Sequence, residues 1–136
     1  MADRIPGCPL PESITLQERL TQLRGRLVLV ESEAGSFEAA PIREVRSNKF
    51  YVMDLTVRFD RPFFATVIVP PAEVTPVTAI VRVEGLSPGL GVKSGSLIRI
   101  GQDFVEFAAD ISGTRAVVIA PRNRFVTVTC EELPDE

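Results

Sequence analysis

The sequence predicts an all-β fold, an antiparallel β-sandwich or β-barrel of about eight strands with one short N-terminal helix. Three β-type runs follow one another within residues 96–120, separated by turns rich in glycine and aspartate, which is the pattern of an antiparallel meander. Turn signals recur about every 8–12 residues along much of the remaining chain. The chain has 136 residues, 45% hydrophobic and 24% charged, which is enough for one domain with a sizeable core.

A short helix is predicted at about residues 15–24. Thr15 and Glu18 have the spacing of a capping box, in which each side chain bonds a backbone N–H at the helix start. Three leucines follow at the spacing of one helix face: Leu16, Leu20 and Leu23. Gly25 is a typical helix stop. Because isolated short helices are marginal in water, this helix needs a surface to lie on.

Two later segments show different strand patterns. Residues 49–60 alternate between apolar and polar types, which predicts one long strand with one face on the core. The predicted inward set is Tyr51, Met53, Leu55, Val57 and Phe59. Residues 63–69 form a run apolar enough for a strand that is buried on both faces.

The predicted organisation is an extended N-terminal arm at 1–14, a single β-rich domain at 15–131 and an acidic tail at 132–136. Three prolines exclude regular structure in the arm: Pro6, Pro9 and Pro11. A proline-rich connector and a glycine-rich loop could divide the domain into two lobes, 26–84 and 92–131.

The composition argues against an enzyme. The chain has no histidine, which removes the commonest general base and the commonest zinc ligand. Its glycines do not form a phosphate-loop pattern, and its carboxylates do not have the spacing of a calcium loop. We therefore expect no catalytic residue, no cofactor and no metal site. Four aspartates leave open an acid pair that forms only in space: Asp54, Asp60, Asp103 and Asp110.

Charge and cysteine content restrict the partners and the compartment. Residues 131–136 carry four of the 18 acidic groups, so the rest of the chain has 14 acidic against 15 basic residues. Without a basic excess, we expect no nucleic-acid partner. The sequence contains neither a membrane-span pattern nor a signal-peptide pattern, so we expect synthesis in the cytoplasm and no membrane contact. Cys8 and Cys130 are expected to be reduced, although they could pair if the termini meet.

The segment 95–124 combines a strand pair, a second hairpin that turns at Ser112-Gly113, and an arginine-containing turn at 122–124. It resembles a recurrent module of tailed-bacteriophage virion proteins, although Asn123 stands where that family often has glycine. The resemblance implies a non-enzymatic structural protein, such as a capsid decoration or cement protein, a head–tail protein or a tail protein. Such a protein binds further copies of itself, or capsid or tail proteins, and is located in the virion.

We expect the subunit contacts to use the arm, the apolar run, the following prolines and the arginine turn. The predicted interface residues are Arg4, Ile5, Pro6, Pro9, Leu10, Phe63, Phe64, Pro70, Pro71, Arg122 and Arg124. Apolar strand surface would become buried, the arm would dock on a neighbouring subunit, and arginines would lie at the rim.

A second resemblance supplies the alternative function. Arg24 and Arg26, with Asp110 and Ser112 far along the chain, are similar to the two signatures of PilZ domains, which are β-barrels that bind cyclic-di-GMP. The arginines here are only two positions apart, and the second signature lacks its last glycine. The resemblance implies a small-ligand-binding β-barrel in which these four residues bind a cyclic dinucleotide.

Overall fold

The structure, a computed structural model, describes residues 5, 7–33, 35–68, 79–86, 90–111 and 114–132. Within these ranges the chain forms one short helix and eleven strands, and the strands belong to a single antiparallel sheet that is not closed. Strands account for 58% of the residues. The all-β prediction with one N-terminal helix is therefore confirmed, but the strand number is eleven instead of about eight.

The helix α1 spans Leu16–Gln22. In chain order the strands are β1 (Leu27–Ser32), β2 (Gly35–Ser36), β3 (Ala40–Val45), β4 (Lys49–Val52), β5 (Leu55–Arg58), β6 (Phe63–Ile68), β7 (Ala79–Gly85), β8 (Val92–Ile100), β9 (Phe104–Ile111), β10 (Thr114–Pro121) and β11 (Val126–Glu132). Their order in the sheet is β11-β7-β8-β9-β10-β6-β1-β3-β4-β5, and β2 pairs with β1. The meander predicted at 96–120 is confirmed as β8, β9 and β10.

The predicted capping box holds the start of α1. The Thr15 Oγ1 accepts from the Glu18 N–H at 3.2 Å, and the Glu18 Oε1 accepts from the Thr15 N–H at 3.2 Å. Asp103, which lies between β8 and β9, adds a carboxylate that accepts from the Leu16 N–H at 2.6 Å. These acceptors satisfy N–H groups that have no partner inside the helix. The chain leaves the helix through Gly25, whose φ of 90° favours glycine.

The three central strands, β6, β9 and β10, carry buried apolar residues on both faces, and each face supports its own hydrophobic core. The first core is completed by α1, β1, β3, β4 and β5. The second core is completed by β7, β8, β11 and the N-terminal arm. Neighbouring residues in one strand therefore serve different cores: Phe63 belongs to the first core and Phe64 to the second.

The segment at 49–60, predicted as one strand, is a hairpin of β4 and β5. The chain turns at Met53, which has a left-handed backbone conformation with φ of 54°. The turn reverses the alternation, so Phe50 and Val52 are buried together with Val57, while Met53 is 62% exposed. The predicted inward set was therefore wrong for the first half of the segment, because apolar residues occupy both alternating sets there.

The possible division into lobes at 84–92 does not match the pairing of the strands. The strand β7 pairs with β8 and β11 and contributes to the second core, so the sheet continues across this boundary. The proline connector at 69–78 and the loop residues 87–89 lie outside the described residues.

Candidate functional site

The described part of the N-terminal arm lies on its own domain and not away from it. Ile5 and Cys8 pack into the second core, where Cys8 is only 1% exposed. The Glu12 N–H donates to the Ile100 carbonyl at 2.7 Å and holds the arm to the end of β8. Pro9 and Leu10, between these two anchors, are exposed, Leu10 by 70%. We call the surface that receives Ile5 and residues 7–12 the arm seat; Arg4 and Pro6 lie outside the described residues.

A disulfide between Cys8 and Cys130 closes the arm seat. The two residues are 122 positions apart in the chain, and their Cα atoms lie 5.0 Å from each other. Gly7 has a φ of 83°, and a Cβ there would lie 3.2 Å from the Cys130 carbonyl oxygen, so this close approach favours glycine. The expectation of reduced thiols was therefore wrong, because the arm folds back and brings the two ends of the chain together.

An exposed apolar patch lies on the same side of the sheet as the second core, but its residues do not belong to that core. In the pairing of β1 with β6, Val28 and Val67 face the first core, so their neighbours Leu27, Leu29 and Ile68 face the opposite side. These three side chains are 54%, 37% and 59% exposed. We call them the apolar face. Contiguous apolar side chains on a sheet surface are typical of contact sites with other proteins.

Phe63 and Phe64, predicted as interface residues, are fully buried inside the chain. Their strand β6 lies at the centre of the sheet, where the two cores cover both of its faces. These side chains have no surface left for a partner, so that part of the prediction was wrong. The apolar residue of this strand that does reach the surface is Ile68, at its end. Pro70 and Pro71 lie outside the described residues.

The arginine turn before β11 joins distant parts of the sheet. The Asn123 Nδ2 donates to the carbonyls of Phe59 at 2.9 Å and Arg61 at 3.0 Å, both of which follow β5. The Arg122 Nη1 donates to the Gly101 carbonyl at 2.9 Å. Asn123 therefore links the segment that follows β5 to the turn before β11. These two strands lie at opposite ends of the sheet. Sequence reasoning missed this role, and an asparagine within a predicted turn was the available signal.

The two arginines of this turn differ in what they offer to a partner. The guanidinium of Arg122 is half-buried and held by carbonyls, so its role in the structure is internal. Arg124 is exposed, and its guanidinium lies 4.9 Å from the centre of the Phe125 ring. The guanidinium of Arg61 lies 5.3 Å from the same ring. Of the predicted pair, Arg124 is the residue that lies at the surface.

A buried carboxylate pins the helix to the sheet. Glu106 on β9 is 1% exposed, and its two oxygens accept from the Nε and Nη2 of Arg19 at 2.8 and 2.9 Å. The Nε of Arg99 lies 3.6 Å from the Glu106 Oε1. A glutamate in line with the buried residues Phe104 and Ala108 was the sequence signal for such a pair, and sequence reasoning missed it. The two-point Arg19 contact fixes the position of α1 on the first core.

A groove of about 420 Å³ opens beside the β4–β5 turn. Apolar side chains, among them Val30 and Leu55, line it together with the carboxylates of Glu38 and Asp54. Its volume falls within the range of about 300–1,000 Å³ that is typical of small-ligand sites. The two carboxylates favour a cationic group over an anionic one.

The two elements of the PilZ resemblance do not meet in the described part of the chain. The strands β1, β6, β10 and β9 are neighbours in the sheet, and Val28 of β1 lies in the same cross-strand row as Ala108 of β9. Arg26 and Asp110 each lie two residues from that row, towards the same edge of the sheet. Two strands separate them, which corresponds to about 14 Å between the backbones. Arg24 is exposed and Arg26 is half-buried in the turn after α1. Ser112 lies outside the described residues.

The four aspartates named as possible acids are also dispersed in the fold. Asp103 accepts from the start of α1, and Asp60 forms an ion pair with Arg58 at 2.7 Å. Asp54 lines the groove, and Asp110 lies near the end of β9. Throughout the described ranges, the structure brings together no group of three or more metal-binding side chains.

Comparisons with known protein families, with curated proteins and with solved structures found no match to this chain. In the part of the chain that the structure describes, no helix has the length and hydrophobicity needed to cross a membrane. The surfaces described above, the arm seat and the apolar face in particular, are therefore the basis for inferring what the protein does.

Proposed function

We propose that the protein is a non-enzymatic structural protein that acts through contacts with other protein subunits. In its most concrete form it is a component of a tailed-bacteriophage virion, such as a capsid decoration or cement protein, a head–tail protein or a tail protein. It is made in the cytoplasm and becomes part of the virion. The observation that carries the proposal is the apolar face of Leu27, Leu29 and Ile68.

The apolar face fits a second copy of this chain better than a charged partner. Its three side chains are uncharged and lie on two adjacent antiparallel strands, so the same patch can pack against itself about a two-fold axis. Burial of apolar area at such a contact is favourable by roughly 25 cal/mol per Å² before the costs of association. Glu31, on the same strand, is already paired with Lys93 at 2.8 Å.

Of the two architectures that the sequence predicts, we propose the sandwich for the body of the subunit. The open sheet and the two cores on opposite faces of its central strands support this choice. A layered body of this kind presents two outer faces, which can pack against neighbouring copies in a shell or tube.

The test is the molar mass in solution over a concentration series, measured by light scattering under oxidising conditions on protein that non-reducing electrophoresis shows to be free of disulfide-linked dimers. We expect the mass of the unmodified protein to rise above that of the monomer, and the triple variant L27S/L29S/I68S to remain monomeric. The matched control is Ile80→Ser, which alters an exposed apolar residue of β7 outside the apolar face. A monomer at every concentration, or an oligomer that the triple variant leaves intact, would contradict the proposal.

A further inference from the structure

We propose that the arm seat accepts the arm of a second copy of this chain, so that neighbouring subunits exchange arms and are joined by a Cys8–Cys130 disulfide between chains. This inference rests on the proposed assembly function and deepens it, because it names the partner and the residues that join the subunits. It concerns a surface different from the apolar face.

The first support is that the arm and its seat are two separable parts. The seat is formed by residues far along the chain, including Cys130, while the exchanging part of the arm contributes Ile5 and Cys8. None of these contacts depends on the two parts being in the same chain. An arm from another copy would bury the same cysteine and form the same disulfide.

The second support is a hinge at Pro9–Leu10–Pro11. Proline fixes φ and lacks an N–H donor, so this stretch cannot join the sheet by regular hydrogen bonding. Leu10 at its centre is 70% exposed. A change of direction here would move residues 5–8 to another subunit without disturbing the sheet.

The third support is that α1 has its own anchors on the domain. The Gln102 N–H donates to the Ile14 carbonyl at 2.9 Å, and Arg19 holds Glu106 at two points. The helix therefore stays in place when the arm leaves. The three residues from Pro11 to Cys8, fully extended, span about 10 Å, so the exchange joins subunits whose seats are adjacent.

The chemistry of the exchange is a redox-neutral thiol–disulfide substitution. A small thiol such as reduced glutathione opens one Cys8–Cys130 bond by forming a mixed disulfide with Cys130 and releasing the Cys8 thiolate. That thiolate attacks the Cys130 sulfur of a second copy, forms the bond between chains, and displaces the second copy's own Cys8 as a thiolate. The contacts made and broken are equivalent, so a high local concentration of subunits favours the exchanged form.

The test uses two variants that each retain one of the two cysteines. Cys8→Ser and Cys130→Ser are mixed in a glutathione redox buffer, and disulfide-linked dimers are measured by non-reducing electrophoresis and intact mass. We expect the mixture to give about tenfold more linked dimer than either variant alone, since only the mixture contains both Cys8 and Cys130, and in it they lie in different chains. The control replaces Cys130→Ser by the triple variant C8S/S13C/C130S, whose thiol at exposed position 13 reports random collisions. Linkage no greater than in this control overturns the inference.

A second measurement uses the unmodified full chain, in case a cysteine variant fails to fold. Isotopically heavy and light proteins are incubated together in the same buffer and digested, and the Cys8–Cys130 peptide pair is examined by mass spectrometry. Pairs with one heavy and one light peptide are expected; pairs of one isotope only would refute the exchange.

Association in the light-scattering test without mixed pairs would refute arm exchange alone. Mixed pairs from a protein whose apolar face does not associate would instead refute the apolar-face proposal.

Discussion

The two cores of this molecule share their central strands but are closed in different ways. The first core is covered by a helix that is capped by its own sequence and fixed by the Arg19–Glu106 ion pair. The second core is covered by β7, β8, β11 and an arm whose closing contact is the Cys8–Cys130 disulfide. One side of the sheet is thus held by non-covalent contacts and the other also by a covalent bond between the ends of the chain.

The difference shows where the molecule can open without unfolding. A capped helix on a buried ion pair detaches only when several interactions break together, because the carboxylate would remain unpaired in the core. The irregular arm is held by the disulfide, by the burial of Ile5 and Cys8 and by the Glu12–Ile100 hydrogen bond, so reduction removes its one covalent anchor and leaves only weaker contacts. The second core is therefore the side on which the redox state of the surroundings acts, which is consistent with the preference of disulfides for oxidising environments.

The largest expected effect comes from removing the disulfide. A cross-link between residues 122 positions apart restricts the unfolded chain strongly, and its loss should lower the free energy of unfolding by about 4–5 kcal/mol. Denaturant unfolding of the oxidised protein, the reduced protein and Cys130→Ser measures it. The reduced protein and the variant should agree, and the variant should not respond to reductant. Equal stability of the oxidised and reduced proteins would contradict the contrast between the two cores.

The next effect separates the two cores by a single position in the chain. Phe63→Ala and Phe64→Ala each remove a fully buried ring, and each should cost about 3–5 kcal/mol in the oxidised protein. In the reduced protein, the cost of Phe64→Ala should shrink by about 1 kcal/mol because its core is already loosened, while that of Phe63→Ala should not change. Unfolding curves of both variants with and without reductant test this. Equal changes in the two variants would show that the cores do not differ.

The third effect concerns the ion pair that closes the first core. Arg19→Ala leaves the buried Glu106 carboxylate without its two-point partner and should cost about 3 kcal/mol. Arg19→Lys keeps the charge but loses the forked geometry, so it should destabilise the protein by less than Arg19→Ala does. The control is Arg58→Ala, which breaks an exposed pair with Asp60 and should change stability by less than about 0.5 kcal/mol. Similar losses of stability at Arg19 and Arg58 would contradict the role of the Arg19–Glu106 ion pair in holding the first core closed.

The smallest effect tests the helix cap. Thr15→Ala removes the acceptor of the Glu18 N–H and should lower stability by about 1 kcal/mol, while Thr15→Ser should restore most of the loss. Hydrogen exchange should become faster in α1 and stay unchanged in β7 and β11, which cover the other core. Faster exchange in β11 would mean that loss of the helix cap on the first core also loosens the strands that cover the second core.

The parts of the fold that could be predicted are those that depend on neighbouring residues. The capping box at Thr15 and Glu18 and the meander at 96–120 are local patterns, and both are present. The hairpin at Met53 was missed because apolar residues occupy both alternating sets of 49–60, so the period of two did not reveal the reversal. A left-handed methionine is also an unusual turn residue.

The candidate site was less predictable than the fold. The arm residues Ile5 and Pro9 were named for contacts, but whether the arm lies on its own domain depends on where the ends of the chain meet. Phe63 and Phe64 were named for their apolar character, which is the same for a residue in a core and a residue on a contact surface. The exposed residues Leu27 and Leu29 are as apolar as their buried neighbours Val28 and Val30. The sequence does not show which face of the strand other elements cover.

By itself, the sequence determined that this protein is antiparallel β-structure with one capped helix, because strand alternation, turn residues and capping act over a few positions. The tertiary structure decided which residues meet across the chain: Cys8 with Cys130, Arg19 with Glu106, and Asn123 with the segment after β5. These contacts join residues about 60 to 120 positions apart, and packing of the two cores, not local propensity, brings such residues together.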